Sequence, residues 1–147
     1  MLHIKKNDIS SKLKKKSREI VVTNVCNLKC RMCGPELSSS WYDDQIKFYG
    51  SSTTPRALIH CNDVGKEDIM IYIDRFINDV EEIYFAGGEP LIMKEHYYLL
   101  EKLIEYGKTD VRILYNTNFS ELRYKNKHVF EYWKHFKNVS VGASLDA

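Results

Sequence analysis

Four short runs rich in β-branched and aromatic residues alternate with stretches whose apolar residues recur every three or four positions. That alternation most narrows the folds open to this chain. The first run, Glu19 to Val25 (EIVVTNV), reads as a buried strand. Residues 36–48 carry a short helix, and 50–65 read as a loop or insertion. Over 66–80, Ile69, Met70, Ile73, Phe76, Ile77 and Val80 form one apolar stripe, the clearest helix of the chain. Ile83 to Ala86 make a second strand, and a helix over 93–106 places Tyr97, Leu100, Leu103 and Ile104 on one face, with Gly107 as its stop. Val111 to Tyr115, a helix over 127–136 and Val139 to Leu145 complete the series. Strands alternating with amphipathic helices predict an α/β fold with a parallel sheet built from right-handed βαβ units.

A polar or glycine-rich signature follows every strand: Cys26, then Gly87-Gly88-Glu89-Pro90, then Asn116-Thr117-Asn118, then Ser144-Leu145-Asp146. Parallel α/β folds place their chemistry at the carboxyl ends of their strands. All four signatures therefore fall on one edge of the sheet.

The chain has 147 residues, enough for one domain with a real core. Its 22 basic and 20 acidic residues leave a charge of +2, which points to neither nucleic acid nor an anionic membrane. Residues 1–18 form a basic polar leader, with no interleaved aromatics to stack on bases. No apolar run approaches the roughly 18 residues of a membrane span, and the N-terminus lacks the apolar core of a secretory signal. These features predict a cytoplasmic protein, where cysteines read as metal ligands or nucleophiles before disulfides.

Cys26, Cys30 and Cys33 form the pattern C-x3-C-x2-C (CNLKCRMC), while Cys61 stands apart as a spare thiol. A structural zinc wants a fourth ligand, and the nearest candidates, His60 and Cys61, are far along the chain. A thioredoxin-type pair needs only C-x2-C and leaves Cys26 surplus. A four-iron cluster ordinarily takes four thiolates, so three leave one iron open, as sites that bind a substrate or cofactor do. Lys29 and Arg31, inside the loop, can offset the negative charge of such an assembly or simply be solvated. His60, His96, His128 and His135 share no spacing and read as surface or packing residues.

CNLKCRMC, a strand ending in GGEP, and a later SLDA resemble the radical S-adenosylmethionine (radical SAM) superfamily, over residues 19–147. The resemblance implies a partial (β/α) barrel, of whose six βα units about four are present. It implies a [4Fe-4S] cluster on Cys26, Cys30 and Cys33, whose open iron chelates S-adenosylmethionine. One electron then cleaves the sulfonium, giving methionine and a 5′-deoxyadenosyl radical that abstracts hydrogen from a peptide or small-molecule substrate. Gly87, Gly88 and Glu89 match the motif that receives the methionine amino group, with Glu89 as acceptor. Ser144 and Asp146 match the ribose and carboxylate contacts, and Asn116 and Asn118 lie beside the same pocket. An external electron donor of flavodoxin or ferredoxin type is the implied partner. Taken alone, Gly-Gly after a strand is often just a tight turn, and Ser144 with Asp146 reads equally as an end-of-strand turn or helix cap.

Two departures stand out. The residue before the third cysteine is usually aromatic in the family and packs near adenine; here it is Met32, which can fill similar space. CRMCGP, followed by a Ser-rich stretch and Trp41, looks like the branch that carries an additional "twitch" domain with an auxiliary cluster. The last strand ends the sequence with an unpaired edge, so the alternative expectation is a truncated, non-catalytic iron–sulfur fragment.

Overall fold

The computed structural model describes residues 17–21, 23–50 and 69–145. The expected leader (through residue 16), the insertion over 51–65, the first residues of the 66–80 helix, His60, Cys61 and Asp146 lie outside the described residues. Among the described residues the main sheet has four strands, β1 (Ser17–Val21), β2 (Glu82–Ala86), β3 (Arg112–Thr117) and, after a small hairpin, β6 (Asn138–Ala143). Their order is β1-β2-β3-β6, and every neighbouring pair is parallel. Between β1 and β2 lie α1 (Tyr42–Tyr49) and α2 (Ile69–Phe76); α3 (Lys94–Glu105) joins β2 to β3. The hairpin β4 (Arg123–Tyr124) and β5 (Lys127–His128) and the short α4 (Val129–Trp133) precede β6. This is the parallel α/β arrangement that the alternation predicts, consistent with a partial radical SAM β/α barrel.

Burial alternates along β2 and β3, so the sheet has two unlike faces. Ile20, Ile83, Phe85, Ile113 and Tyr115 pack under the helices with Ile73, Phe76, Ile77, Leu99, Leu100 and Leu103. Paired residues of parallel strands share a face, so the register places Glu19, Tyr84, Leu114 and Ser140 in one row on the opposite side. Below them Ser17 Oγ donates to Glu82 at 2.9 Å, and Arg112 pairs with the same carboxylate. The Ser17 bond first, then Arg112, holds the Glu82 carboxyl below its ordinary range. The first strand is thus not buried on both faces, as its β-branched run predicts: Glu19 is exposed while Ile20 is covered.

Element ends shift for local reasons. β1 begins at Ser17, ahead of the expected Glu19, and residues 23–26 leave the sheet to enter the cysteine loop. The helix expected over 36–48 starts only at Tyr42, after a 3-10 turn over Ser39–Trp41, because the serine hydroxyls are engaged elsewhere. Gly107 does end α3: at φ 67° it takes the left-handed conformation that favours glycine, and the next amide, Lys108 N–H, reaches Leu103 O at 2.8 Å. The sequence carries no Asn-Gly signal for the hairpin, whose tight turn uses Lys125 at φ 54° instead. His128 caps α4, its ring Nδ1 accepting from Phe130 N–H at 3.3 Å.

Among the histidines, His96 lies in the core. Its Nε2 stands 2.7 Å from the Tyr115 hydroxyl, which also accepts from Trp133 Nε1 at 2.9 Å. Burial pushes the His96 pKa down to about 3, so the ring is neutral. No helix among the described residues is long and apolar enough to cross a membrane.

Candidate functional site

The cysteine loop is held through its backbone. Ser40 Oγ donates to Cys26 O and Ser38 Oγ to Leu28 O, both at 2.7 Å, while Trp41 Nε1 donates to Cys30 O at 3.2 Å. Cys26 N–H donates to Ser39 Oγ at 3.4 Å, and Cys33 N–H closes a turn on Cys30 O at 3.0 Å. Buried Asn24 fastens the return of the chain, its amide donating to Pro35 O at 2.8 Å and to the Tyr42 hydroxyl at 2.7 Å. The Ser-rich stretch and Trp41, read from sequence only as a family marker, form the scaffold of this loop. A cluster of hydroxyl and indole donors just after a metal-ligand loop is the signal that could have found them.

The end of β2 is pressed against the end of β1. Glu89 N–H donates to Val25 O at 2.7 Å. A Cβ on Gly88 would come within 2.3 Å of Val25 O and 2.9 Å of Thr23 O, and the residue sits at φ 47°. The absent side chain is therefore required by the chain's own backbone, before any ligand is considered.

Glu89 is fully buried. Its Oε1 accepts from Thr117 Oγ1 at 2.5 Å and Leu91 N–H at 3.0 Å, and its Oε2 accepts from Asn118 N–H at 2.7 Å. A carboxylate so enclosed ties β2 to β3 rather than facing solvent. Thr117, absent from the sequence-derived site residues, completes this tie.

Cys26, Cys30 and Cys33 line one cavity of about 240 Å³ together with Gly87, Gly88, Asn116, Thr117, Asn118, Ser144 and Leu37. The structure thus brings six residues singled out by sequence to the cysteines: Gly87, Gly88, Asn116, Asn118 and Ser144 line the cavity, and Glu89 joins them through its buried contacts with Thr117 and Asn118. Ser144 Oγ donates to Asn116 Oδ1 at 3.0 Å, and Ser144 N–H extends the β3–β6 pairing by reaching Thr117 O at 2.8 Å. Met32 is placed elsewhere: it is 88 % exposed and does not line the cavity, whereas Leu37, which the sequence reading passes over, does. A second cavity of about 590 Å³ lies on the other side of Cys33, between the loop and α1, with Trp41, Phe48 and Tyr49 in its wall.

The donor set suits an iron–sulfur cluster. None of the three cysteines is in a disulfide, and each is half-buried at the cavity. Among the described residues, no three His, Cys, Asp or Glu side chains close on one point as a single metal ion asks. A cubane asks instead for thiolates on separate irons, and the same cavity offers hydrogen-bonding groups on the facing strand ends for a polar ligand.

Known proteins resemble this chain over part of their length. The chain is 29 % identical over 111 residues to a GTP 3′,8-cyclase of Campylobacter curvus, covering 75 % of this chain and 29 % of that protein. It is 27 % identical over 100 residues to a 7-carboxy-7-deazaguanine synthase of Thermoplasma acidophilum, covering 67 % and 35 %. A GTP 3′,8-cyclase 3 of Mycobacterium tuberculosis is 32 % identical over 81 residues, covering 54 % and 17 %. The chain therefore spans about a third or less of the length of these curated relatives. No solved structure matches it significantly. The profile of the Radical SAM superfamily matches residues 20–147, strand ends and cysteine loop included. By that match this chain belongs to the radical SAM superfamily.

Proposed function

We propose that the chain carries the cluster and cofactor site of a radical SAM enzyme, with Cys26, Cys30 and Cys33 holding a [4Fe-4S] cluster and the adjoining cavity receiving S-adenosylmethionine. The observation that carries this reading is that the three cysteines share one cavity with Gly87, Gly88, Asn116, Asn118 and Ser144. When bound, the cluster supplies one electron to the sulfonium and so produces the 5′-deoxyadenosyl radical, which abstracts hydrogen from substrate.

The chain's own residues do the positioning. Ser38, Ser40 and Trp41 fix the loop's carbonyls, which sets where the thiolates stand. The tight turn at Gly87-Gly88 brings backbone to the cavity wall, where carbonyl oxygens can accept from the methionine ammonium. Asn116 and Ser144, hydrogen-bonded to each other, offer polar groups for the ribose and carboxylate. Asp146 belongs to the same proposed set, from sequence alone. Glu89 acts here through the strand ends it ties, since both its oxygens already accept from the chain. An external donor of flavodoxin or ferredoxin type supplies the electron. A small-molecule substrate is favoured over a peptide by the relatives named for GTP and for 7-carboxy-7-deazaguanine.

Anaerobic reconstitution with iron and sulfide, followed by dithionite and S-adenosylmethionine, tests the proposal. The expected result is a four-iron charge-transfer absorbance and release of 5′-deoxyadenosine. Cluster uptake without cleavage would reduce the chain to an iron–sulfur-binding module, and a chain that takes only zinc would end the proposal.

A further inference from the structure

Asn27, Ser120 and Asn118 close a ring of three hydrogen bonds between the cysteine loop and the loop after β3. Asn27 Nδ2 donates to Ser120 Oγ at 3.0 Å, Ser120 Oγ donates to Asn118 Oδ1 at 2.7 Å, and Asn118 Nδ2 donates to Asn27 Oδ1 at 3.0 Å. A carboxamide's oxygen and nitrogen are ordinarily told apart only by their partners. Here the partner decides: Ser120 N–H, which can only donate, also reaches Asn118 Oδ1, at 3.0 Å. The Asn118 nitrogen therefore faces the cysteine loop. It has two hydrogens, and the ring uses one. Its other near neighbour is Cys26 Sγ, at 3.8 Å.

The backbone holds this amide in place. Asn118 N–H donates to the buried Glu89 carboxylate at 2.7 Å, and Phe119 N–H donates to Thr117 Oγ1 at 3.0 Å. Phe119 itself sits at φ 55°, a left-handed conformation that a bulky residue adopts only where its surroundings impose it.

We propose that Asn118 is a hydrogen-bond donor to the Cys26 thiolate, aimed by Ser120 and Asn27, and that it raises the reduction potential of the cluster on that thiolate. The inference rests on the cluster reading above. Reduction adds negative charge to the cluster and its sulfurs, and an N–H dipole aimed at a sulfur stabilises that added charge. The cluster thereby accepts its electron from a milder donor.

The test uses the full chain, reconstituted without S-adenosylmethionine, and reads the midpoint potential by redox titration followed by electron paramagnetic resonance. Asn118→Ala should shift the midpoint to a more negative value at unchanged iron and sulfide content. It should also remove an exchangeable-hydrogen coupling from the reduced cluster in heavy-water exchange. Should the alanine chain load no cluster, Asn118→Asp decides the matter by the same two readings. It keeps an oxygen for Ser120 but has no N–H for Cys26, and its charge should push the midpoint further down. A wild-type midpoint and unchanged coupling in a loaded variant would overturn the proposal while leaving the cluster reading intact. A wild-type chain that takes up no iron and sulfide would overturn both.

Discussion

Thr117 donates its hydroxyl to Glu89 at 2.5 Å inside the protein, so the last residue of β3 is fastened to the residue that follows the double glycine after β2. The same carboxylate receives Leu91 N–H and Asn118 N–H, and the backbone of Glu89 reaches Val25 ahead of Cys26. The ends of three neighbouring strands are thus locked around one fully buried anion.

Removing that anion should cost stability before it costs ligand affinity. Glu89→Ala leaves three donors without a partner, at about 1–3 kcal/mol for each unsatisfied group. We expect a loss of about 3–5 kcal/mol by urea denaturation of the cluster-free chain. Glu89→Gln should lose less, since its amide oxygen still accepts on one side. Wild-type stability in Glu89→Ala would show that the three donors find other partners.

Gly88→Ala should be poorly tolerated even though the added group is one methyl. Its Cβ would meet Val25 O at 2.3 Å, and its φ of 47° is strained for alanine. Gly107→Ala, with φ 67° and open space around it, carries only the conformational cost, on the order of 1 kcal/mol. Thermal melts of the two variants should therefore separate clearly, with Gly88→Ala far lower.

Stability should fall on mild acidification. His96 stays neutral in the folded chain down to about pH 3, whereas the unfolded chain protonates it near its ordinary value of 6.5. Between those values the unfolded state holds the extra proton, so stability is lost as pH falls, by up to about 1.4 kcal/mol per pH unit. His96→Phe removes this proton. Its urea midpoint should start lower at pH 7.5, through loss of the Tyr115 bond, and decline less steeply between pH 6.5 and 4. Equal slopes in the two proteins would contradict the assignment.

Replacing Cys26, Cys30 or Cys33 by Ala should each abolish the charge-transfer absorbance of the reconstituted chain, and Cys61→Ala should leave it in place. Ser38→Ala should retain the cluster but lose it faster on exposure to a chelator, because Leu28 O loses its donor. Iron release followed with time separates these classes.

Much of this was legible because it depends on pattern. The apolar spacing of Ile73, Phe76, Ile77 and Val80 names a face, and the structure buries all four. The cysteine spacing and GGEP name an edge, and the parallel sheet brings both to one cavity. What escaped depends on partners distant in sequence. Glu89 reads as an acceptor for a ligand's ammonium, and its bonds to Thr117 and Asn118 emerge only once β2 and β3 lie side by side. Met32 adjoins a ligand in sequence, yet the loop turns it out to solvent. Ser38 and Ser40 carry no periodicity, and only the path of the loop reveals their carbonyl acceptors.

That scaffold has an evolutionary consequence. Ser38, Ser40 and Trp41 grip the carbonyls of Leu28, Cys26 and Cys30, groups that every amino acid possesses. The side chains of Leu28 and Met32 contribute nothing to the grip, and that of Met32 is largely bare. Substitutions at Met32 can redraw the exterior of the loop while the anchoring frame stays unaltered.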